Sequence, residues 1–380
     1  MRNFLINVLL LTILQPAISV ANPYQAIYVF GDSLSDTGRI YQLSGGSLPA
    51  SPPYYQGRFS NGSIWVEYLA EQLQLTYDAN TNFAWGGAET GTSFLPQGLK
   101  TQVNNYLRSN PQADPTGLYL VGAGSNDFFV FGNDATEANI QTTVDNVISV
   151  VTQLHEAGAQ FIAVLNVPDL GLTPSGQTQN TDGTLTNIIA QYNASLYARL
   201  NQLNYSVAYI DAFSTLRNLV TTPALLNLEN VTEPCLQTTP TQQICDNPNS
   251  YLFWDDKHPT TVVHQNIATQ TYQLIQQAEY LPETGNLQLP VVTVTDAQGN
   301  TSTFQAVLQQ QTSPEWHFAV TQLTTTAVQT GLAPASIYHA ETGDLEIPRV
   351  YVGTQACQVT LSLTADTTQL LFYLKTVSCD

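Results

Sequence analysis

The stretch "AIYVFGDSLSDTGR", residues 26–39, decides the fold. Five strand-forming residues, Ala26 to Phe30, run without a polar break and stop at Gly31. A continuous apolar run of this length that ends on glycine reads as a strand buried on both faces. Gly31, Asp32 and Ser33 then supply turn chemistry. Ser33 is therefore either an ordinary turn residue or a hydroxyl held just beyond a strand end. Its reading depends on the rest of the chain.

Similar runs recur downstream. "LYLVG" (118–122), "FIAVLN" (161–166) and "VAYID" (207–211) read as further buried strands, and "NFAW" (82–85) as a short extended piece. Helical patterns lie between them. Ile140 to Ala157 has apolar residues at helical spacing and ends at Gly158. From Thr186 to Leu203, Ile188, Tyr192, Leu196 and Leu200 form one stripe. Buried strands alternating with helices predict a parallel sheet covered on both faces, the α/β class. In such sheets ligands bind beyond the carboxyl ends of the strands, where Ser33 lies.

After Leu281 helical periodicity disappears and Thr, Gln and Val dominate. "ETGNLQLPVVTV" (283–294) and "ETGDLEIPRVYV" (341–352) match at seven positions with a constant displacement of 58 residues. This predicts a small C-terminal all-β domain over 283–380, built from an internal repeat (near 283–340 and 341–380) and packed as a β-sandwich. The preceding domain is expected over 22–282. A stabilising or surface-binding role suits the C-terminal unit.

The 380 residues carry 10 Lys and Arg against 29 Asp and Glu, a net charge of −19. A nucleic-acid partner is excluded on that balance, because phosphate neutralisation needs cations. Arg2, the apolar run Phe4 to Leu14, Pro16 and the small-x-small pattern Ser19-Val20-Ala21 read as a signal peptide over 1–21. A secreted or periplasmic chain is the expectation, and it makes the four cysteines a disulfide question. Cys235 and Cys245 close a polar loop, which leaves Cys357 and Cys379 to pair. Four cysteines allow three connectivities, and proximity favours this one. No spacing points to a metal site or to a cofactor.

A serine nucleophile needs a base, and there are five histidines. His317 and His339 fall in the β tail, His155 near a helix end and His264 inside a helix. His258 stands in "FWDDKHPTT", with Asp255 three residues before it and Pro259 after it. Pro259 suits a first helical position, which puts His258 at a helix entrance. Asp255 can fold back onto Nδ1–H and leave Nε2 free to take a proton. An alternative is that Asp255 or Asp256 caps the helix and His258 is merely exposed. Oxyanion donors could come from "NFAWGGAETG", with Gly86 and Gly87, and from "VGAGSNDFF", with Asn126. Taken alone, each reads more readily as a tight turn. Trp65, Trp85 and Phe94 read as core residues, with a lipid groove as the alternative.

In order, "FGDSLSDTGR", "GRFSNG", "NFAWGGA", "GAGSND" and "DDKHPT" resemble the blocks of the GDSL, or SGNH, hydrolases over roughly Ile27 to Ala278. The resemblance implies a flavodoxin-like three-layer α/β/α domain. It also implies Ser33 as nucleophile, His258 as base and Asp255 as its orienting carboxylate. The oxyanion hole would comprise the Ser33 and Gly87 amides and Asn126. "GRFSNG" and the small cysteine loop resemble the secreted bacterial lipase, phospholipase A and acyltransferase branch. The expected function is thus a secreted ester hydrolase acting on small-molecule acyl esters, chiefly lipids, with contact to membrane lipid or a cell surface. The alternatives are a carbohydrate acetylesterase and a surface-binding protein with a vestigial hydrolase domain.

Overall fold

The computed structural model describes residues 23–178, 180, 182–238, 241–295, 301–314, 316–325, 335–352, 355–365 and 370–379. The expected signal peptide lies outside the described residues.

Four strands form a parallel sheet in chain order: β1 (Ala26–Gly31), β2 (Gly117–Gly122), β3 (Phe161–Leu165) and β4 (Ala208–Ile210). The 82–85 piece joins the other edge of β1. Phe83 N–H donates to Val29 O at 2.7 Å and Trp85 N–H to Gly31 O at 3.0 Å, and Asn82 bridges Val29 in parallel. Counting that piece in chain order gives 2-1-3-4-5, the flavodoxin-like order, whose direction reverses between β1 and β2. The crevice at that reversal opens beyond Gly31. There β1 and β2 approach so closely that a Cβ on Gly31 would sit 2.3 Å from Gly122 O, which requires glycine.

Nine helices are assigned among the described residues: α1 (Arg39–Leu43), α2 (Trp65–Gln72), α3 (Leu99–Ser109), α4 (Ser125–Phe131), α5 (Glu137–Glu156), α6 (Pro174–Gln177), α7 (Thr184–Leu200), α8 (Ala212–Thr221) and α9 (Thr261–Ile275). Helices α2, α8 and α9 pack on one face of the sheet, against Ile27, Val29, Leu118 and Leu120. The other face, with Phe30, Tyr119, Val121 and Ile162, is covered by α3, α5 and α7. The layers are α/β/α. The α7 stripe of Ile188, Tyr192, Leu196 and Leu200 is buried throughout. Helix α9 begins at Thr261 with Thr260 as N-cap, so Pro259 precedes the helix instead of opening it. Pro259 bridges Phe253 instead, and the turn that holds His258 is built by Asp255.

Between α8 and α9 lie four short strands, β5 (Asn230–Pro234), β6 (Leu236–Gln237), β7 (Gln243–Ile244) and β8 (Tyr251–Phe253). The β6–β7 hairpin is closed by the Cys235–Cys245 disulfide.

The C-terminal strands are β9 (Glu279–Leu281), β10 (Asn286–Thr295), β11 (Thr301–Gln310), β12 (His317–Thr325), β13 (Ser336–His339), β14 (Asp344–Val352), β15 (Gln355–Leu363) and β16 (Leu371–Cys379). They form one sheet that closes on itself, with β10 pairing β11 and β14 pairing β9 as well. The expected sandwich is thus corrected to a barrel. Two open sheets would each leave unpaired edges, and the β12–β16 pair together with β9 and β13 satisfies them. Leu287, Leu289, Leu308, Phe318, Leu345, Ile347 and Leu361 fill the interior.

The repeat is visible in the pairing and takes in Glu279–Leu281, which the sequence pattern left out. Strand β9 pairs β10 antiparallel and β14 in parallel. Strand β13 does the reverse, pairing β14 antiparallel and β10 in parallel. Both long strands shift register at the same place, Leu289/Val292 and Ile347/Val350, where Pro290 and Pro348 stand. Cys357–Cys379 links β15 to β16. Tyr351 on β14 reaches the α/β core, where its ring lies 6.4 Å from that of Phe161.

Candidate active site

The turn after β1 is tied by Asp32. Its carbonyl accepts Ser35 N–H and Asp36 N–H, each at 3.0 Å, and its Oδ1 accepts Leu34 N–H at 3.0 Å. Ser33 is thereby lifted over the strand end. His258 arrives there from a chain segment 225 residues away. Its Nε2 lies 2.8 Å from Ser33 Oγ, and its Nδ1 lies 2.8 Å from Asp255 Oδ2 and 2.9 Å from Oδ1. Asp255 also accepts Lys257 N–H at 2.8 Å and His258 N–H at 2.7 Å. The same carboxylate thus builds the turn and faces the ring.

Three supports around this turn were not legible in the chain. Tyr54 donates its hydroxyl to Asp255 Oδ2 at 2.7 Å. The Phe59 ring lies against the imidazole, with centroids 5.0 Å apart. Asn61 Oδ1 accepts Thr261 N–H at 2.8 Å and Ser60 donates to Pro259 O at 2.9 Å, so the "GRFSNG" block fastens the entrance of α9. From the outer side, Cys235 N–H donates to Phe253 O at 3.0 Å, Leu236 N–H to Trp254 O at 2.6 Å, and Trp254 N–H to His258 O at 2.8 Å. The disulfide hairpin is therefore bonded to the segment that carries the imidazole.

The glycine pair is held by Asp36, a fully buried carboxylate that accepts Gly86 N–H at 2.8 Å and also the Gly38 and Arg39 amides. Gly87 has φ +80°, where a side chain is strained. Asn126 stands in the first turn of α4, and its Nδ2 donates to Ala88 O at 2.9 Å. That bond fixes the side chain, and its second N–H meets no acceptor among the described residues. Among the described residues, the Ser33 and Gly87 amides donate no hydrogen bond. Ser33, Gly87, Asn126 and His258 line one cleft of ≈ 200 Å³, together with Phe59, Phe129, Leu170 and Lys257.

Charge in the site is arranged in opposed pairs. Burial works to raise the Asp255 carboxyl, but the His258 charge and ring N–H, the Tyr54 hydroxyl and the Lys257 amide outweigh it and hold it at about 2. Burial likewise works to lower His258. Asp255 overrides it, with Asp32 and Asp256 adding to the effect, and the imidazole is raised above its ordinary value. Burial pushes Asp32 up to about 6. Asp127 is also raised to about 6 by burial, although Thr90 donates to it through N–H at 2.9 Å and Oγ1 at 2.7 Å. An imidazole paired with a carboxylate on one side and a serine hydroxyl on the other is equipped to take that hydroxyl's proton.

The other histidines do not join this group. His264 is buried in α9 and held neutral by desolvation, at about 3. His155 stacks on Tyr205 with ring centroids 3.5 Å apart, and His317 and His339 lie in β12 and β13. Trp65 and Trp85 are core residues, as the sequence suggests, whereas Phe94 is 81% exposed. That corrects its assignment to the core. Among the described residues no three His, Cys, Asp or Glu side chains converge as a metal-ligand set, and no helix is long and apolar enough to cross a membrane.

Comparison with known proteins gives a consistent family. The model of the GDSL-like Lipase/Acylhydrolase family matches residues 27–271. The chain is 28% identical to the phosphatidylcholine-sterol acyltransferase of Aeromonas hydrophila, over 68% of this chain and 92% of that protein. It is 25% identical to the thermolabile hemolysin of Vibrio parahaemolyticus, over 64% of this chain and 62% of that protein. Among solved structures, a catalytic mutant of an acetylxylan esterase from Geobacillus stearothermophilus aligns with a TM-score of 0.40 at 14% identity. That alignment covers 67% of this chain and 94% of the esterase.

Proposed function

Because the chain belongs to the GDSL-like Lipase/Acylhydrolase family, a family of serine ester hydrolases, we propose that it is an exported hydrolase of acyl esters, with lipids as the acyl donors, working through an acyl-enzyme on Ser33. The observation that carries this reading is the 2.8 Å contact between Ser33 Oγ and His258 Nε2, backed by Asp255. The name of one relative, a phosphatidylcholine-sterol acyltransferase, supports a lipid donor. The two disulfides fit an oxidising compartment.

His258 takes the Ser33 proton as Oγ bonds to the ester carbonyl carbon. The carbonyl oxygen becomes an oxyanion, held by the Ser33 and Gly87 amides and the free N–H of Asn126. The imidazolium, stabilised by Asp255, protonates the leaving alcohol as the C–O bond breaks. Water then attacks the acyl-enzyme with His258 as base, releasing a carboxylic acid and restoring Ser33. An alcohol in place of water makes the same step an acyl transfer.

The test is Ser33→Ala, assayed on short- and long-chain acyl esters and on an acetylated oligosaccharide. Turnover should fall roughly 10⁴–10⁶-fold, with the circular-dichroism spectrum and melting temperature retained. Full activity in this variant would overturn the assignment. In the parent enzyme, a preference for the acetylated sugar over long-chain esters would overturn the lipid reading alone.

A further inference from the structure

Phe94, Leu95 and Val130 are the three most exposed large apolar side chains among the described residues, at 81%, 74% and 70%. Single exposed apolar residues are ordinary. These three lie on two segments, the loop 94–97 and α4, that each approach a residue lining the Ser33 cleft. Phe94 bridges Gln97, which folds 94–97 into a tight tip. Pro96 in that tip is the nearest group a Cβ on Gly87 would meet, at 3.5 Å. The tip therefore stands over Gly87. Val130 is one helical turn beyond Asn126 and adjacent to Phe129, and Asn126 and Phe129 both line the cleft. The loop and α4 are fastened together by Thr90 on Asp127 and by Asn126 on Ala88 O. The exposure thus belongs to a fixed rim.

We propose that Phe94, Leu95 and Val130 form a contact face that seats the cleft on the surface of an uncharged or zwitterionic lipid aggregate. The inference rests on the reading of the Ser33 cleft as an acyl-ester site. A protein docked on this rim would cover the entrance, whereas a lipid surface delivers substrate through the same contact. With a net charge of −19 the chain is repelled by anionic lipid, which selects a surface without net charge. Apolar side chains that enter the headgroup boundary supply the binding.

The experiment uses the full mature chain and vesicles of a zwitterionic phosphatidylcholine with ether-linked chains, which cannot be hydrolysed. The triple variant Phe94→Ser/Leu95→Ser/Val130→Thr should co-sediment at least tenfold less than the parent. Its turnover of a monomeric, water-soluble acyl ester should stay within twofold, which also reports that it is folded. Adding anionic lipid should weaken binding of the parent. Equal sedimentation of variant and parent, no sedimentation of the parent, or binding that needs anionic lipid would each overturn the proposal. Failure of the catalytic reading is detected separately, as Ser33→Ala retaining turnover of the monomeric ester, because vesicle binding involves no chemistry.

Discussion

Tyr54 donates its hydroxyl to Asp255 Oδ2 across 2.7 Å, joining residues 201 positions apart on the side of the carboxylate away from the polypeptide turn. The bond gives Asp255 a fixed donor besides the imidazole and two amides. It makes Tyr54 a positioning residue, acting on His258 through Asp255.

Tyr54→Phe removes a hydrogen bond to a charged group, an interaction of about 1.5–3 kcal/mol. kcat should fall about tenfold with little change in KM. Without the Tyr54 dipole more of the Asp255 charge acts on His258, so the acid limb of the kcat/KM profile should move to higher pH. A loss of packing alone would lower activity without moving that limb.

In the proposed mechanism Asn126→Ala removes one oxyanion donor. kcat should fall roughly 10²–10³-fold, with KM nearly unchanged on monomeric esters. Asn126→Asp should not restore activity, since a carboxylate repels the developing oxyanion. A steady-state comparison of the three proteins checks this.

The pH dependence of activity follows from His258. In the proposed mechanism its neutral form is the base, and its value is raised, so kcat/KM should decline on the acid side from a midpoint above the ordinary imidazole range. Asp32 contributes to that elevation. Asp32→Asn should therefore move the acid limb to lower pH, opposite to Tyr54→Phe.

Stability responds to the two carboxylates with opposite signs. Asp255 is depressed to about 2, so its contribution is present above pH ~4. About 2 kcal/mol should be lost as pH falls from about 4 to about 2. Asp32 is raised to about 6, so it favours the folded state below about 4 and loses that contribution as pH rises to about 6. Urea unfolding across this range should show the Asp32→Asn protein losing less stability between pH 4 and 6 than the parent.

Cys235→Ser/Cys245→Ser opens a short loop and should cost roughly 3 kcal/mol. Because Leu236 and Cys235 are bonded to Trp254 and Phe253, activity should fall at temperatures below global melting. Activity and melting measured on the same thermal ramp would reveal the gap.

The α/β layering is legible because the central strands are short apolar runs and the helical stretches that became α5 and α7 show their buried stripes. Ser33, Gly87, Asn126, Asp255 and His258 could be named from short blocks, but nothing in those blocks states their distances. The partners that reach across the chain were illegible. Tyr54 lies in "SPPYYQG", which carries no periodicity that points to Asp255, and nothing in the order of residues pairs Asp36 with the Gly86 amide it accepts. Phe94 reads as a core residue because hydrophobicity alone does not distinguish a buried ring from one on a rim. Closure of the barrel is not legible, because alternation reveals a two-sided strand but not whether its sheet closes. Propensity puts Pro259 at the first position of α9, and the Asp255 turn overrides it.

In the barrel, β9 lies against a strand of its own half and one of the other, and β13 reciprocates. A solitary half would therefore expose two backbone margins that only a second half can meet. The tandem is arranged like a pseudo-twofold dimer written into one polypeptide, each half supplying the margin that the other leaves open.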